Sequence, residues 1–233
     1  MNPALHQIDN WIFDLDNTLY PVSSGIHRQM DDRIRGFVAR TLHLTNDEAH
    51  QVQKDYFKQY GTTLSGLMAL HGTDPFEYLA DVHDFPLGSI DPAPDLAAHL
   101  NALPGRKIIF TNADAPYAGR VLDRLGLTGI FEQIVDIHCL SYTPKPAQSA
   151  YDTLLAQTGV DPARSIFFED MARNLLPAKT MGMRTVWIDS GWHESRWGHD
   201  GGDDDAFSHV DYRTDSLAGW LENAIETLKI SAQ

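Results

Sequence analysis

A chain of 233 residues with 42% hydrophobic content can bury a full core, which sets disorder aside and allows one domain or one domain carrying an insertion. Its formal net charge of −14 excludes polymeric nucleic acid as an expected partner, because neutralising backbone phosphates needs a basic face that this composition does not supply. Apolar runs such as residues 108–110 and 185–188 fall far short of the ~20 residues of a membrane helix, so no membrane partner is expected.

The opening MNPALHQIDN has neither a basic nor an apolar leader region, and the single cysteine, Cys139, has no internal disulfide partner. Both suit a cytoplasmic protein. NWIFDLD then reads as a buried strand ending in two carboxylates. Beyond TLYPVSSG the period becomes helical, with Ile26, Met30, Ile34, Phe37 and Val38 on one face. Thr45 with Glu48 forms a capping box for a second helix, a third lies near residues 64–71, and Asp74 with Pro75 opens a fourth. Strands and helices alternate from there on. RKIIFTNAD, FEQIVDIHCL, ARSIFFED and MRTVWID are extended, and helices fall between them. The pattern predicts right-handed βαβ units in an open parallel sheet, interrupted once by a helical insertion. GWHESRWGHDGGDDDAF reads as a long mobile loop before a last helix from Asp215 to about Leu228. His193, His199 and Asp203 to Asp205 within it have no metal-ligand spacing, and a solvated acidic loop is the better account of them.

Ligands of such sheets bind where the strands stop, and four strand ends here carry polar residues. Asp14 and Asp16 lie two apart, which places two acids on one face of a straight strand. Paired carboxylates also serve as caps, so this pair alone leaves both roles open.

The longer string DLDNTLY resembles the first motif, DxDxT, of the haloacid dehalogenase (HAD) superfamily of phosphohydrolases. Thr111 in IIFTNAD, Lys145 in YTPKP, and Glu169 with Asp170 in IFFEDMARN resemble the other three motifs, in order. The resemblance implies an α/β fold: a three-layer, Rossmann-like open parallel sheet over residues 1–21 and 91–233, with a helical cap domain at 22–90. It implies Asp14 as the nucleophile that attacks phosphorus. Asp16 is free to protonate the leaving oxygen and later activate water. Thr111 and the amide of Asn112 hold phosphoryl oxygens, and Lys145 supplies a fixed positive charge. Magnesium is the implied cofactor, with the Asp14 carboxylate, the Asp16 carbonyl and Asp170 as ligands and Glu169 nearby or bridging through water. Asn174 follows one turn after Asp170, where it can order the acidic loop. The dehalogenases of this superfamily lack an acid equivalent to Asp16, which favours phosphoryl transfer over carbon–halogen cleavage.

The strings LDNTLYPVSSGI, LHGTDPFEYLADVHDFPL and FTNADAPYAGRVLDRLGL are similar to the pyrimidine 5′-nucleotidase branch. That similarity implies a nucleoside monophosphate such as UMP or CMP as substrate. Tyr20, His71, Tyr78, His83 and Phe85 are then candidates to stack on or hydrogen-bond the base. The alternatives are a phosphatase for phosphoglycolate or a sugar phosphate and, more distantly, a silent binding protein on the same fold. Oligomeric state is not legible in the sequence.

Overall fold

The run NWIF is buried at all four positions, as a strand must be when helices cover both faces of a parallel sheet. In the computed structural model, which describes residues 3–189, 191 and 207–230, this strand is β1 (Asn10–Phe13). The sheet continues with β2 (Arg106–Phe110), β3 (Gln133–Val135), β4 (Ser165–Glu169), β5 (Arg184–Ile188) and β6 (Tyr212–Thr214), in the order β3-β2-β1-β4-β5-β6. Every neighbouring pair is parallel. The order reverses direction at β1, which lies between β2 and β4, with Phe13 opposite both Ile109 and Phe168.

Side chains alternate along each strand, and the alternation divides the core in two. Trp11, Phe13, Ile109 and Phe168 pack under α5 (Pro94–Ala102), α6 (Ala115–Leu125) and α9 (Leu217–Ile230). Ile12, Phe110 and Phe167 pack under α7 (Gln148–Thr158) and α8 (Ala172–Thr180). The result is a three-layer α/β fold of the expected class.

Between β1 and α5 the chain forms α1 (Ile26–Leu42), α2 (Asn46–Tyr60), α3 (Thr63–His71) and α4 (Pro75–Val82). The capping box is present: Glu48 N–H donates to Thr45 Oγ1 at 3.4 Å, and Thr45 N–H donates to Glu48 Oε2 at 2.9 Å. Asp74 caps α4 by accepting from Phe76 N–H at 2.9 Å. α1 begins at Ile26, where the helical period of the sequence begins, after a short 3-10 turn at Val22–Ser24 that ends on Gly25 at φ 73°.

One expectation about strands needs correction, and one strand was not foreseen. FEQIVDIHCL is extended only over β3, since the Asp136 carboxylate turns the chain by accepting from Cys139 N–H and Ala115 N–H, both at 2.9 Å. β6 is a short edge strand with no alternating pattern of its own to announce it. Ser190 and residues 192–206, including His193, His199 and Asp203 to Asp205, lie outside the described residues.

Candidate active site

Asp14 follows β1 directly, and its N–H extends the ladder by donating to Phe168 O at 2.9 Å. That bond places the buried carboxyl at the carboxyl edge of the sheet, beside the ends of β2 and β4. Lys145 reaches it from the loop before α7. With 1% of its surface exposed, Lys145 directs its three ammonium protons to Asp14 Oδ1 at 2.7 Å, Phe110 O at 2.8 Å and Glu169 Oε1 at 3.0 Å. Asn112 fixes the loop that carries it: Lys145 N–H donates to Asn112 Oδ1 at 2.8 Å, and Asn112 Nδ2 donates back to Lys145 O at 3.2 Å.

Glu169 ends β4 and is buried. Besides Lys145 it accepts from Asn174 Nδ2 at 2.5 Å and Met171 N–H at 3.1 Å, so Asn174 does tie down the acidic turn. Thr18 Oγ1 donates to Asp14 Oδ2 at 3.4 Å. Thr111 is buried at the end of β2, where its hydroxyl accepts from Ala113 N–H at 3.0 Å. Asp16 has different company: its Oδ1 accepts from the phenols of Tyr20 and Tyr117, the latter at 2.9 Å.

Three carboxylates, Asp14, Glu169 and Asp170, place oxygens within 4.8 Å of one another, and Lys145 offsets only one of their charges. The imbalance is visible in their acidities. Burial, and then the Glu169 charge, push the Asp14 carboxyl up to about 7 against the pull of Lys145. Burial followed by Glu169 and Asp14 holds Asp170 well above its ordinary value. Burial alone would raise Glu169 too, but Lys145 and hydrogen bonds from Asp170, Asn174 and Met171 hold it low. Burial likewise works against the Lys145 ammonium, yet Asp14 and Glu169 keep its acidity below that of a free lysine.

A cavity of about 270 Å³ opens over this cluster. Asp14, Asp16, Thr111, Asn112, Lys145, Glu169 and Asp170 all line it, so the structure brings every site residue expected from sequence to one place. Its opposite wall comes from α1–α4. Of the five side chains considered for a base, Tyr20, Tyr78 and His83 line the cavity. The other two are placed elsewhere: His71 is exposed and hydrogen-bonded to Tyr56 at 2.7 Å, and Phe85 is buried against Tyr117.

Residues 8–182 match the haloacid dehalogenase-like hydrolase family. The chain belongs to that family. Among relatives, the yeast Saccharomyces cerevisiae "Phosphate metabolism protein 8" is 28% identical over 76% of this chain and 60% of its own length. This chain thus aligns with less than two thirds of the yeast protein. The "Glyceraldehyde 3-phosphate phosphatase" of Methanopyrus kandleri is 26% identical over 78% of this chain and 84% of that protein. The HAD-hydrolase YfnB of Bacillus subtilis, solved bound to magnesium, superposes with a TM-score of 0.61 at 14% identity, covering 93% of this chain and 98% of that one. At that identity the likeness concerns the fold.

The donor set fits the metal of a HAD hydrolase. Magnesium is a hard cation that takes oxygen ligands, and two units of negative charge left over beside Lys145 are what a divalent ion offsets. Sequence reasoning missed Gln53 and Asp31 in the cavity wall, and Tyr117, whose phenol donates to Asp16. Only Tyr117 left a signal: Asp114 caps α6 by accepting from Tyr117 N–H at 3.1 Å, which fixes that ring in the first turn at the sheet edge.

Proposed function

We propose that this HAD hydrolase is a magnesium-dependent phosphatase that works through an aspartyl phosphate on Asp14 and acts on a nucleoside monophosphate, with a pyrimidine base preferred. The observation that carries the phosphatase reading is the pairing of Asp14, buried beside Lys145 and two further carboxylates, with a second acid, Asp16, held apart by two phenols. In this reading one acid acts as the nucleophile and the other as the proton carrier.

Asp14 attacks phosphorus while Asp16 gives its proton to the leaving oxygen, which forms an acyl phosphate and frees the alcohol. Asp16 then takes a proton from water as that water attacks the phosphorus, releasing phosphate and restoring the Asp14 carboxylate. Lys145 keeps the nucleophile ionised next to an anion, and the Thr111 hydroxyl and Asn112 amide hold phosphoryl oxygens. Magnesium, held by the Asp14 and Asp170 carboxylates and the Asp16 carbonyl with Glu169 nearby or bridging through water, would supply positive charge to the phosphoryl oxygens when bound.

Helices α1–α4, within residues 22–90, act in this proposal as a cap domain over a core of residues 1–21 and 91–233. Residues near Val22 to Gly25 and Gly88 to Pro94 serve as its hinges. The core groups grip any phosphate ester, so discrimination falls to the cap wall. Tyr20, Phe57 and Tyr78 in the cavity suit a flat base. The name of the Methanopyrus relative favours one other reading, a three-carbon phosphosugar.

The test is phosphate release from a panel of nucleotides, sugar phosphates, phosphoglycolate and p-nitrophenyl phosphate, with magnesium and with chelator. Metal-dependent release that disappears in Asp14→Asn is expected, with UMP or CMP ahead of AMP and GMP. A sugar phosphate or phosphoglycolate ahead of every nucleotide would sink the nucleotidase reading and leave the phosphatase reading standing.

A further inference from the structure

The cavity has a second polar end, remote in sequence from the catalytic motifs. α1 presents His27, Met30, Asp31 and Ile34 to it, three and four residues apart on one face, and α2 presents Gln53 and Phe57. Gln53 is only 2% exposed, and its Nε2 donates to Asp31 Oδ1 at 2.7 Å. An ionised carboxylate only accepts, so this bond orients the amide with its NH2 toward Asp31 and its carbonyl away. Gln53 Oε1 is buried with no hydrogen-bond partner. Buried acceptors in folded proteins are paired as a rule, and an exception on a residue of a ligand cavity points to a donor that arrives with the ligand. Burial, and then the nearby charges of Asp31 and Asp81, keep the neighbouring Tyr78 phenol from ionising.

We propose that Gln53, oriented by Asp31, determines specificity by accepting a hydrogen bond from an N–H or O–H group at the end of the leaving group remote from the phosphate. The inference rests on the phosphatase reading and sharpens its substrate class. Among pyrimidine nucleotides it separates two that are nearly equal in shape. Cytosine carries an exocyclic amine where uracil carries a carbonyl, and a carbonyl brought against Gln53 Oε1 and Asp31 meets two acceptors. CMP is therefore the better substrate. A Gln53 that merely tethers α2 to α1 through Asp31 gives no such preference.

The experiment measures kcat/KM for CMP, UMP and p-nitrophenyl phosphate in the wild type, Gln53→Met and Asp31→Asn. Each nucleotide value is divided by the same enzyme's value on p-nitrophenyl phosphate, whose nitro end offers acceptors only. The wild type should favour CMP over UMP by about tenfold or more. Gln53→Met should bring that ratio close to one. Asp31→Asn should move it toward UMP, because the new amide can donate to Gln53 Oε1 and turn the Gln53 NH2 toward the ligand. Both variants are read as ratios, so a partial loss of folded enzyme cancels. A wild type that turns over p-nitrophenyl phosphate without preferring CMP overturns the inference alone, as does a ratio unchanged in Gln53→Met. A wild type that releases phosphate from no ester removes the phosphatase reading and this inference with it.

Discussion

Lys145 has no free proton: its three donors go to Asp14, Glu169 and the Phe110 carbonyl, and its backbone is gripped by Asn112. A charge so fixed needs no reorganisation when an anion arrives. Lys145→Met keeps much of the stem but leaves the Asp14, Glu169 and Asp170 carboxyls uncompensated. We expect kcat/KM on p-nitrophenyl phosphate to fall by about 10²–10³-fold. Stability to urea should drop on the order of 3–5 kcal/mol at pH 8 and by less at pH 5, where the carboxyls can protonate. A variant as stable as the wild type at pH 8 would show that the acids do not depend on this lysine. Asp16 is a gentler case, because Tyr117 shares its oxygen with Tyr20. Tyr117→Phe removes one of the two phenol donors that orient the Asp16 carboxyl, worth about 1 kcal/mol. Steady-state kinetics should show kcat down by about tenfold with KM little changed, since the loss concerns proton transfer and not phosphate grip. A raised KM at unchanged kcat would assign Tyr117 to substrate binding instead.

At the scale of elements, what was legible in the sequence was what local chemistry announces. β1, β2, β4 and β5 are apolar runs of Val, Ile, Phe and Trp that stop at polar residues, and the caps at Thr45 and Asp74 mark helix starts. The motif residues Asp14, Thr111 and Glu169 lie where those strands stop, Asp14 just after β1, Thr111 just after β2 and Glu169 as the last residue of β4. β6 and the length of β3 were not legible, because an edge strand of three residues and a turn made by the Asp136 side chain depend on partners far away in sequence. The cavity wall was hidden for the same reason: Gln53 and Asp31 become neighbours only when α1 packs on α2. Gly66 belongs to this group. It lies within α3, where alanine is ordinarily the better helix former by ~1 kcal/mol. Yet a Cβ there would stand 2.5 Å from Cγ of Tyr56 on α2. Overpacking costs about 1–3 kcal/mol, so the clash wins, and Gly66→Ala should lower stability by about 1–2 kcal/mol in urea unfolding. A more stable Gly66→Ala would mean that α2 and α3 are not so closely packed.

For the whole molecule the decisive quantity is charge. A chain of net −14 gathers three carboxylates within 4.8 Å at the end of its sheet, and the structure tolerates this by holding protons. The Asp14 carboxyl, at about 7 in the fold against 3.8 for a free side chain, binds its proton more tightly when folded. Folding is therefore favoured most below the unfolded value, and that contribution is lost as pH rises through about 7. Other acids, such as Glu169, shift the opposite way, so the informative measure is the wild type against Asp14→Asn, which lacks this titration. With chelator present, the stability of the wild type relative to Asp14→Asn should fall between about pH 4 and 7. Magnesium competes for the same oxygens and needs them ionised, so its binding strengthens over the window in which the proton leaves. Saturation at a hundred times Kd adds ~2.7 kcal/mol. Thermal melts should accordingly show a magnesium-dependent rise in Tm that is larger at pH 8 than at pH 5 and smaller in Asp14→Asn at both. An equal rise at the two pH values, or an equal rise in the variant, would mean that the ion binds elsewhere and that the acid cluster is balanced by protons alone.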